Sequence, residues 1–67
     1  MEKIPMNAAR VAAGLTQEEL AREMGVSRQC IIAWESGKRT MKAPYFYMFC
    51  RITGFSEDDI FLPERST

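Results

Sequence analysis

A three-residue turn, Gly25-Val26-Ser27, most constrains how this chain can fold, because it separates two segments of helical length. The first segment opens on Thr16, whose hydroxyl can accept from the backbone N–H of Glu19 while the Glu19 carboxylate reaches back. Gly25 ends that helix, since glycine adopts the left-handed conformation without steric cost. Ser27 is a suitable N-cap for the next helix. A turn this short makes the two helices cross steeply.

The remaining residues that start or end helices predict three further helices. Pro5 favours the start of a first helix that ends at Gly14, a fourth helix covers residues 44–53, and Ser56 caps a short fifth helix. No segment alternates as a strand does. We therefore expect an all-α fold, a compact five-helix bundle in which residues 1–67 form a single domain. Residues 16–35 hold its central helix pair.

Apolar residues at helical spacing predict which side chains form the core. In the third helix, Ile31 and Trp34 face inward and leave the other face to residues 28, 29, 32 and 33. Residues 44–50 are more apolar and aromatic than one buried stripe requires, which favours a dimer interface formed by the fourth helix, the fifth helix and nearby loops. The expected core comprises Met6, Ala9, Ala13, Leu20, Ala21, Met24, Ile31, Trp34, Tyr45, Met48, Phe49, Ile52, Ile60 and Leu62.

The charges are balanced in number but unevenly distributed along the chain. Nine Lys and Arg residues offset nine Asp and Glu residues, and a net charge of zero by itself argues against a nucleic-acid partner. However, Lys38, Arg39 and Lys42 lie in one short segment, while acidic residues gather at 57–59 and at Glu64. This asymmetry is compatible with one basic face, and equally with an ordinary solvated surface.

Several functional classes are not expected from the residue types present. The chain has no histidine and two cysteines, Cys30 and Cys50, too few ligands for a structural zinc site. A disulfide stays open in principle, but the absence of an export signal favours reduced thiols and a cytoplasmic location. No apolar run approaches the ~18–20 residues of a membrane span. We expect no enzyme activity, metal, cofactor, membrane partner or small-molecule ligand, since no nucleophile–base pair or phosphate loop is present.

Several spaced stretches resemble the Cro/repressor-type (XRE) family of helix-turn-helix regulators. They are GLTQEELA at 14–21, MGVSRQ at 24–29 and WESGKR at 34–39, together with TGFSEDDIF at 53–61, which is similar to the family's last helix. The resemblance covers nearly the whole chain. It implies a lambda-repressor-like fold and a repressor-like transcriptional regulator, of phage, prophage or bacterial type. It also implies that the third helix reads the major groove of a double-stranded DNA operator, with a homodimer on paired half-sites.

The resemblance also implies residue roles at the matching positions. Arg28 and Gln29 are expected to contact base edges, because their side chains suit guanine and adenine respectively. Ala33 and Ile32 are further base-contact candidates, through thymine methyl groups. Arg10 is expected to form a structural ion pair with Glu35. The expected phosphate contacts are Gln17, Ser36, Lys38, Arg39 and Lys42. For the polar candidates, simple solvation is the alternative.

Two features leave other interpretations open. Cys30 stands where relatives usually carry Thr or Ser, so it is a weak DNA contact, an oxidation-sensitive thiol or a small hydrophobic residue. The zero net charge and Ile32 favour a second function, that of an antitoxin-like or anti-repressor protein-interaction module that keeps the fold without the DNA surface.

Overall fold

The computed structural model describes residues 2–63, and within them the chain forms four α-helices. A single turn of 3-10 helix and two short parallel strands complete the fold. Glu64 of the predicted acidic cluster lies outside the described residues. In chain order the elements are β1 (Ile4–Pro5), α1 (Met6–Ala12), α2 (Gln17–Met24), α3 (Arg28–Ser36), α4 (Ala43–Thr53), the 3-10 turn (Glu57–Asp59) and β2 (Ile60–Phe61).

The predicted fifth helix is wrong, because residues 57–59 form one 3-10 turn that leads directly into β2. The Asp59 carboxylate accepts from the backbone N and the hydroxyl of Ser56, at 3.2 and 2.9 Å, and this closes the turn. Ile60 then becomes extended, which buries its side chain and pairs it with Ile4. Strands of two residues are too short to show alternation in a sequence.

The first helix is shorter than predicted at both ends. Pro5 is its N-cap rather than its first residue, and pairs with Phe61 in the parallel register of β1 and β2. The helix ends at Ala12, before Gly14. Ala13 therefore leaves the helical face and is exposed, which corrects its predicted burial, whereas Met6 and Ala9 are buried as expected.

The local signals at the central turn are confirmed. Thr16 Oγ1 accepts from Glu19 N at 3.0 Å, and Glu19 Oε1 accepts from Thr16 N at 2.9 Å. The hydrogen bond from the Thr16 backbone N–H, and secondarily the Thr16 side chain, lowers the pKa of the Glu19 carboxyl. Gly25 has a φ of 72°, the left-handed conformation that closes α2. Ser27 Oγ accepts from Cys30 N at 3.1 Å and so caps α3.

The core lies where α1, α2, α3 and α4 meet β2. On α4 the buried side chains are Phe49 and Cys50, so the predicted inward positions of Tyr45 and Met48 are wrong. The apolar pattern misled here because α4 carries apolar side chains on more than one face. Met41, which was not predicted, is also buried. The buried hydrophobic residues are Met6, Ala9, Leu20, Ala21, Met24, Ile31, Trp34, Met41, Phe49, Cys50 and Ile60.

Across residues 2–63, the helices fall short of the length and apolar character that crossing a membrane requires.

Candidate nucleic-acid interface

The outer face of α3 presents the predicted base-contact residues at two levels of exposure. Arg28 and Gln29 form the first two positions of α3, and both are exposed. Ile32 and Ala33, one turn further, are half-buried. The inner face of the same helix holds Ile31 and Trp34 in the core. The helix therefore fixes Arg28 and Gln29 on an accessible surface through the packing of its opposite side.

A chain of hydrogen bonds connects the interior ion pair to the start of α3. Arg10 Nε donates to Glu35 Oε2 at 2.7 Å, and Gln17 Nε2 donates to Glu35 Oε1 at 3.0 Å. Arg28 Nη2 donates to Gln17 Oε1 at 3.3 Å. We call these four residues the polar chain. It brings together two residues expected to bind DNA and two expected to be structural.

The polar chain has a buried end and an exposed end. The side chains of Arg10 and Glu35 are only 14% and 9% exposed. Arg10 also donates through Nη1 to the carbonyl oxygen of Leu15 at 2.7 Å, so its guanidinium holds the segment between α1 and α2 against α3. Gln17 is half-buried and Arg28 is exposed. The interior ion pair therefore reaches the surface through a single glutamine.

The segment after α3 carries the basic loop, which we define as Lys38, Arg39 and Lys42. All three side chains are exposed. Met41 is buried among them and anchors the loop to the core. The backbone N–H of Arg39 donates to the carbonyl of Ala33 at 3.2 Å, which folds the loop back against α3. The basic loop is thus held against α3, the helix that carries the exposed Arg28 and Gln29.

Ser36 is the remaining predicted phosphate contact, and it lies at the end of α3. Its side chain is exposed, and its hydroxyl donates to the carbonyl oxygen of Ala33 at 3.2 Å. That bond uses its donor, so the hydroxyl oxygen is left only as an acceptor in this conformation. A phosphate oxygen offers no hydrogen, so Ser36 can bind a phosphate only after its hydroxyl has rotated away from the Ala33 carbonyl.

Tyr45 lies beside the candidate site, although its sequence pattern predicted a core position, with a base-stacking role as the less favoured alternative. Its ring lies 5.3 Å from that of Trp34, centroid to centroid, with an interplanar angle of 46°. It lines a cleft of about 180 Å³ together with Trp34, Arg39, Thr40 and Lys42. Its position in the first turn of α4, directly after the basic loop, was the available signal. Tyr45 adds a phenol beside two of the loop cations.

Both cysteines, which lie within the described residues, are free thiols rather than a disulfide. Cys30 is half-buried on α3, and its Sγ lies 4.0 Å from Arg39 Nη1. Cys50 is buried in α4. Burial raises the pKa of the Cys50 thiol, and the charges of Glu57 and Asp59 raise it further. The two thiols therefore have different environments, one beside the basic loop and one in the core.

Comparison with known proteins identifies the family. The family model described as helix-turn-helix matches residues 6–60, which include all four α-helices in the described part of the chain. A Methanocaldococcus jannaschii protein is 42% identical over 55 residues, covering 82% of this chain and 83% of that protein. A Methanothermobacter thermautotrophicus protein is 44% identical over 50 residues, covering 73% and 72% respectively. An Archaeoglobus fulgidus protein is 36% identical over 53 residues, covering 79% and 76%.

Each of these three relatives is named an uncharacterized HTH-type transcriptional regulator. No solved structure matches the chain. Because the relatives are archaeal, the expected phage, prophage or bacterial origin stays a prediction. The family match spans more than half of the sequence and agrees with the predicted resemblance: the chain belongs to the XRE-type helix-turn-helix family.

Proposed function

We propose that this protein is a sequence-specific, repressor-like transcriptional regulator that reads the major groove of double-stranded DNA with α3. The observation that carries this proposal is the exposure of Arg28 and Gln29 at the start of α3, beside the basic loop folded against the same helix. One α-helix fits the width of the major groove. The names of the relatives, HTH-type transcriptional regulators, support the same function.

Base recognition in this proposal falls mainly to the first turn of α3. Arg28 donates to O6 and N7 of a guanine, and Gln29 pairs with N6 and N7 of an adenine, because each side chain can form two parallel hydrogen bonds. Ala33 and Ile32 contact thymine methyl groups. Their half-burial leaves part of each side chain accessible, which suits an apolar contact of limited area.

Phosphate binding falls to the residues that flank α3. Gln17 is the first residue of α2, where backbone N–H groups and the helix dipole favour an anion, and one of its amide hydrogens is not used by Glu35. The basic loop supplies three cations, and Ser36 is the last residue of α3, just before the loop. Since Arg10 pairs with Glu35, the carboxylate does not oppose the phosphates. The positive charge that complements the phosphates is thus concentrated beside α3, although the chain has a net charge of zero.

The proposal includes a homodimer on the operator. Apolar side chains on α4 and β2 remain uncovered: Tyr47 is 57% exposed, Phe61 46% and Met48 38%. Exposed apolar area of this kind favours an interface, and two copies of a helix-turn-helix bind two half-sites. Sedimentation velocity on a duplex with paired half-sites should show two chains per duplex. Tyr47→Lys should weaken binding to that duplex without weakening binding to an isolated half-site. One chain per paired site would exclude the dimer.

The decisive experiment selects bound sequences from a pool of random duplexes and then measures affinity as salt is increased. We expect one enriched motif and an affinity that falls steeply with salt, because each cation–phosphate contact releases counterions. Arg28→Ala should relax the motif at one base pair. If no motif is enriched and no salt-dependent binding is found, the protein-interaction module remains the better explanation of the fold.

A further inference from the structure

Gln17 lies between two groups of opposite hydrogen-bonding character. On one side, the Glu35 carboxylate can only accept hydrogen bonds, and on the other side the Arg28 guanidinium can only donate. The Gln17 amide meets both, with Nε2 at 3.0 Å from Glu35 Oε1 and Oε1 at 3.3 Å from Arg28 Nη2. A single orientation of this amide satisfies both neighbours. Because Glu35 takes up the NH2 group of Gln17, the oxygen of the same amide is the atom that faces Arg28.

Glu35 is in turn held by Arg10. The 2.7 Å contact between Arg10 Nε and Glu35 Oε2 occupies one carboxylate oxygen and leaves the other for Gln17. Both side chains of the ion pair are largely buried, so neither reaches a ligand at the surface of α3. Their influence on that surface passes through the amide of Gln17.

We propose that the Arg10–Glu35 ion pair, acting through the orientation of the Gln17 amide, positions Arg28 and so determines base selectivity. Gln17, Glu35 and Arg10 are positioning residues in this scheme, and Arg28 is the residue that touches the base. The inference rests on the proposed function. It adds that a side-chain pair in the interior sets how strongly the protein discriminates the base read by Arg28, in addition to stabilising the fold.

The chemistry of Glu35→Gln makes the inference testable. The new amide keeps its oxygen on Arg10, which requires an acceptor, and therefore turns its NH2 group toward Gln17. Gln17 answers by reversing its own amide, so its NH2 group faces Arg28 in place of its oxygen. Arg28 has only donors and loses its partner. The guanidinium is then free to adopt other orientations. It can turn away from a wrong base and keep its hydrogen bonds elsewhere, so the difference in affinity between the right and the wrong base becomes smaller.

The experiment compares binding of single-base-pair variants of the selected duplex by the wild type, Arg28→Ala and Glu35→Gln. Arg28→Ala identifies the base pair that Arg28 reads. We expect Glu35→Gln to lower the affinity ratio at that same base pair by about tenfold, the worth of one hydrogen bond to a charged group. The ratios at other base pairs and the salt dependence should remain as in the wild type. A merely structural role would leave all ratios intact or lower every affinity alike.

Two further variants complete the test. Glu23→Gln makes the same change in net charge at an exposed position of α2 outside the polar chain, and should keep every ratio. Gln17→Met removes the acceptor itself. It should weaken all duplexes through the lost phosphate contact and also lower the ratio at the Arg28 base pair, so it carries the test if Glu35→Gln does not fold.

The possible failures are distinguishable. A wild-type protein that selects no motif overturns the proposed function and this inference together. A selective wild type whose Glu35→Gln and Gln17→Met variants retain the full ratio at the Arg28 base pair overturns the inference alone.

Discussion

Arg10 and Glu35 lie 25 positions apart in the sequence, and their side chains meet at 2.7 Å between Nε and Oε2. This contact joins α1 to α3, and the second bond from Arg10, to the Leu15 carbonyl, adds the intervening segment. The ion pair therefore links α1 to α3 through two side chains that are both largely buried.

Arg10→Ala should destabilise the protein by about 3 kcal/mol, because it leaves the largely buried Glu35 carboxylate without its cation. Urea denaturation at neutral pH measures the change in the free energy of unfolding. Arg22→Ala removes an arginine from the exposed last turn of α2 and should change stability by less than about 0.5 kcal/mol. A melting temperature of Arg10→Ala equal to that of the wild type would contradict this role.

Acid should weaken the start of α2 through the Glu19 carboxyl. The bonds with Thr16 lower the pKa of Glu19 from 4.5 in the folded protein, so they stabilise the fold above that value. The stabilisation is lost as pH falls through the lower, folded-state pKa. Thermal melts at decreasing pH should therefore show a shallower acid decline for Glu19→Gln than for the wild type. Parallel declines would show that the carboxylate bonds do not contribute.

Thr16→Ala tests the other half of the same capping interaction. It removes the oxygen that accepts from Glu19 N at 3.0 Å and leaves an unpaired donor at the helix start. The expected cost is about 1 kcal/mol in the free energy of unfolding, the usual loss for an N-cap. Thr40→Ala, an exposed threonine outside any helix, is the matched control and should have little effect.

Lys38→Ala should weaken DNA binding almost equally for all sequences. Lys38 belongs to the basic loop and is exposed, and loss of one phosphate contact makes the negative slope of log affinity against log salt shallower by about 1. Arg22→Ala makes the same charge change on α2 and should leave the slope near that of the wild type. A changed base preference in Lys38→Ala would instead place Lys38 among the residues that read sequence.

The two thiols should react at very different rates. Cys30 is half-buried at the surface of α3, whereas Cys50 is buried and its pKa is raised by burial and by Glu57 and Asp59. The thiolate is the reactive form, so one thiol of the native protein should react rapidly with an aromatic disulfide reagent at mildly alkaline pH. This reaction should release one equivalent of the aromatic thiolate. Cys30→Ser should abolish the rapid phase. A rapid phase that survives in Cys30→Ser would show that Cys50 is accessible.

The two ends of α2 and the start of α3 were the most predictable part of the fold, because each depends on a few neighbouring residues. The capping box of Thr16 and Glu19, the left-handed Gly25 and the Ser27 cap all formed where the sequence indicated. Burial on α4 was less predictable. Aromatic side chains occupy more than one of its faces, so periodicity alone did not separate Phe49, which is buried, from Met48, which is exposed.

The candidate site shows the same division between local and distant information. The exposure of Arg28 and Gln29 follows from the inward packing of Ile31 and Trp34 on the same helix, a relationship of neighbours. The place of Tyr45 beside Trp34 and the basic loop depends on how α4 docks, and the prediction missed it.

Local sequence was sufficient to define the turn at Gly25, the helices on either side of it and the face that α3 presents to solvent, since such features arise from interactions within a few residues. The packing of the helices was needed to pair Ile4 with Ile60 and to connect Glu35 to Arg28 through the Gln17 amide. Those contacts join residues far apart in the chain. Their geometry depends on how the helices pack, which no local pattern encodes.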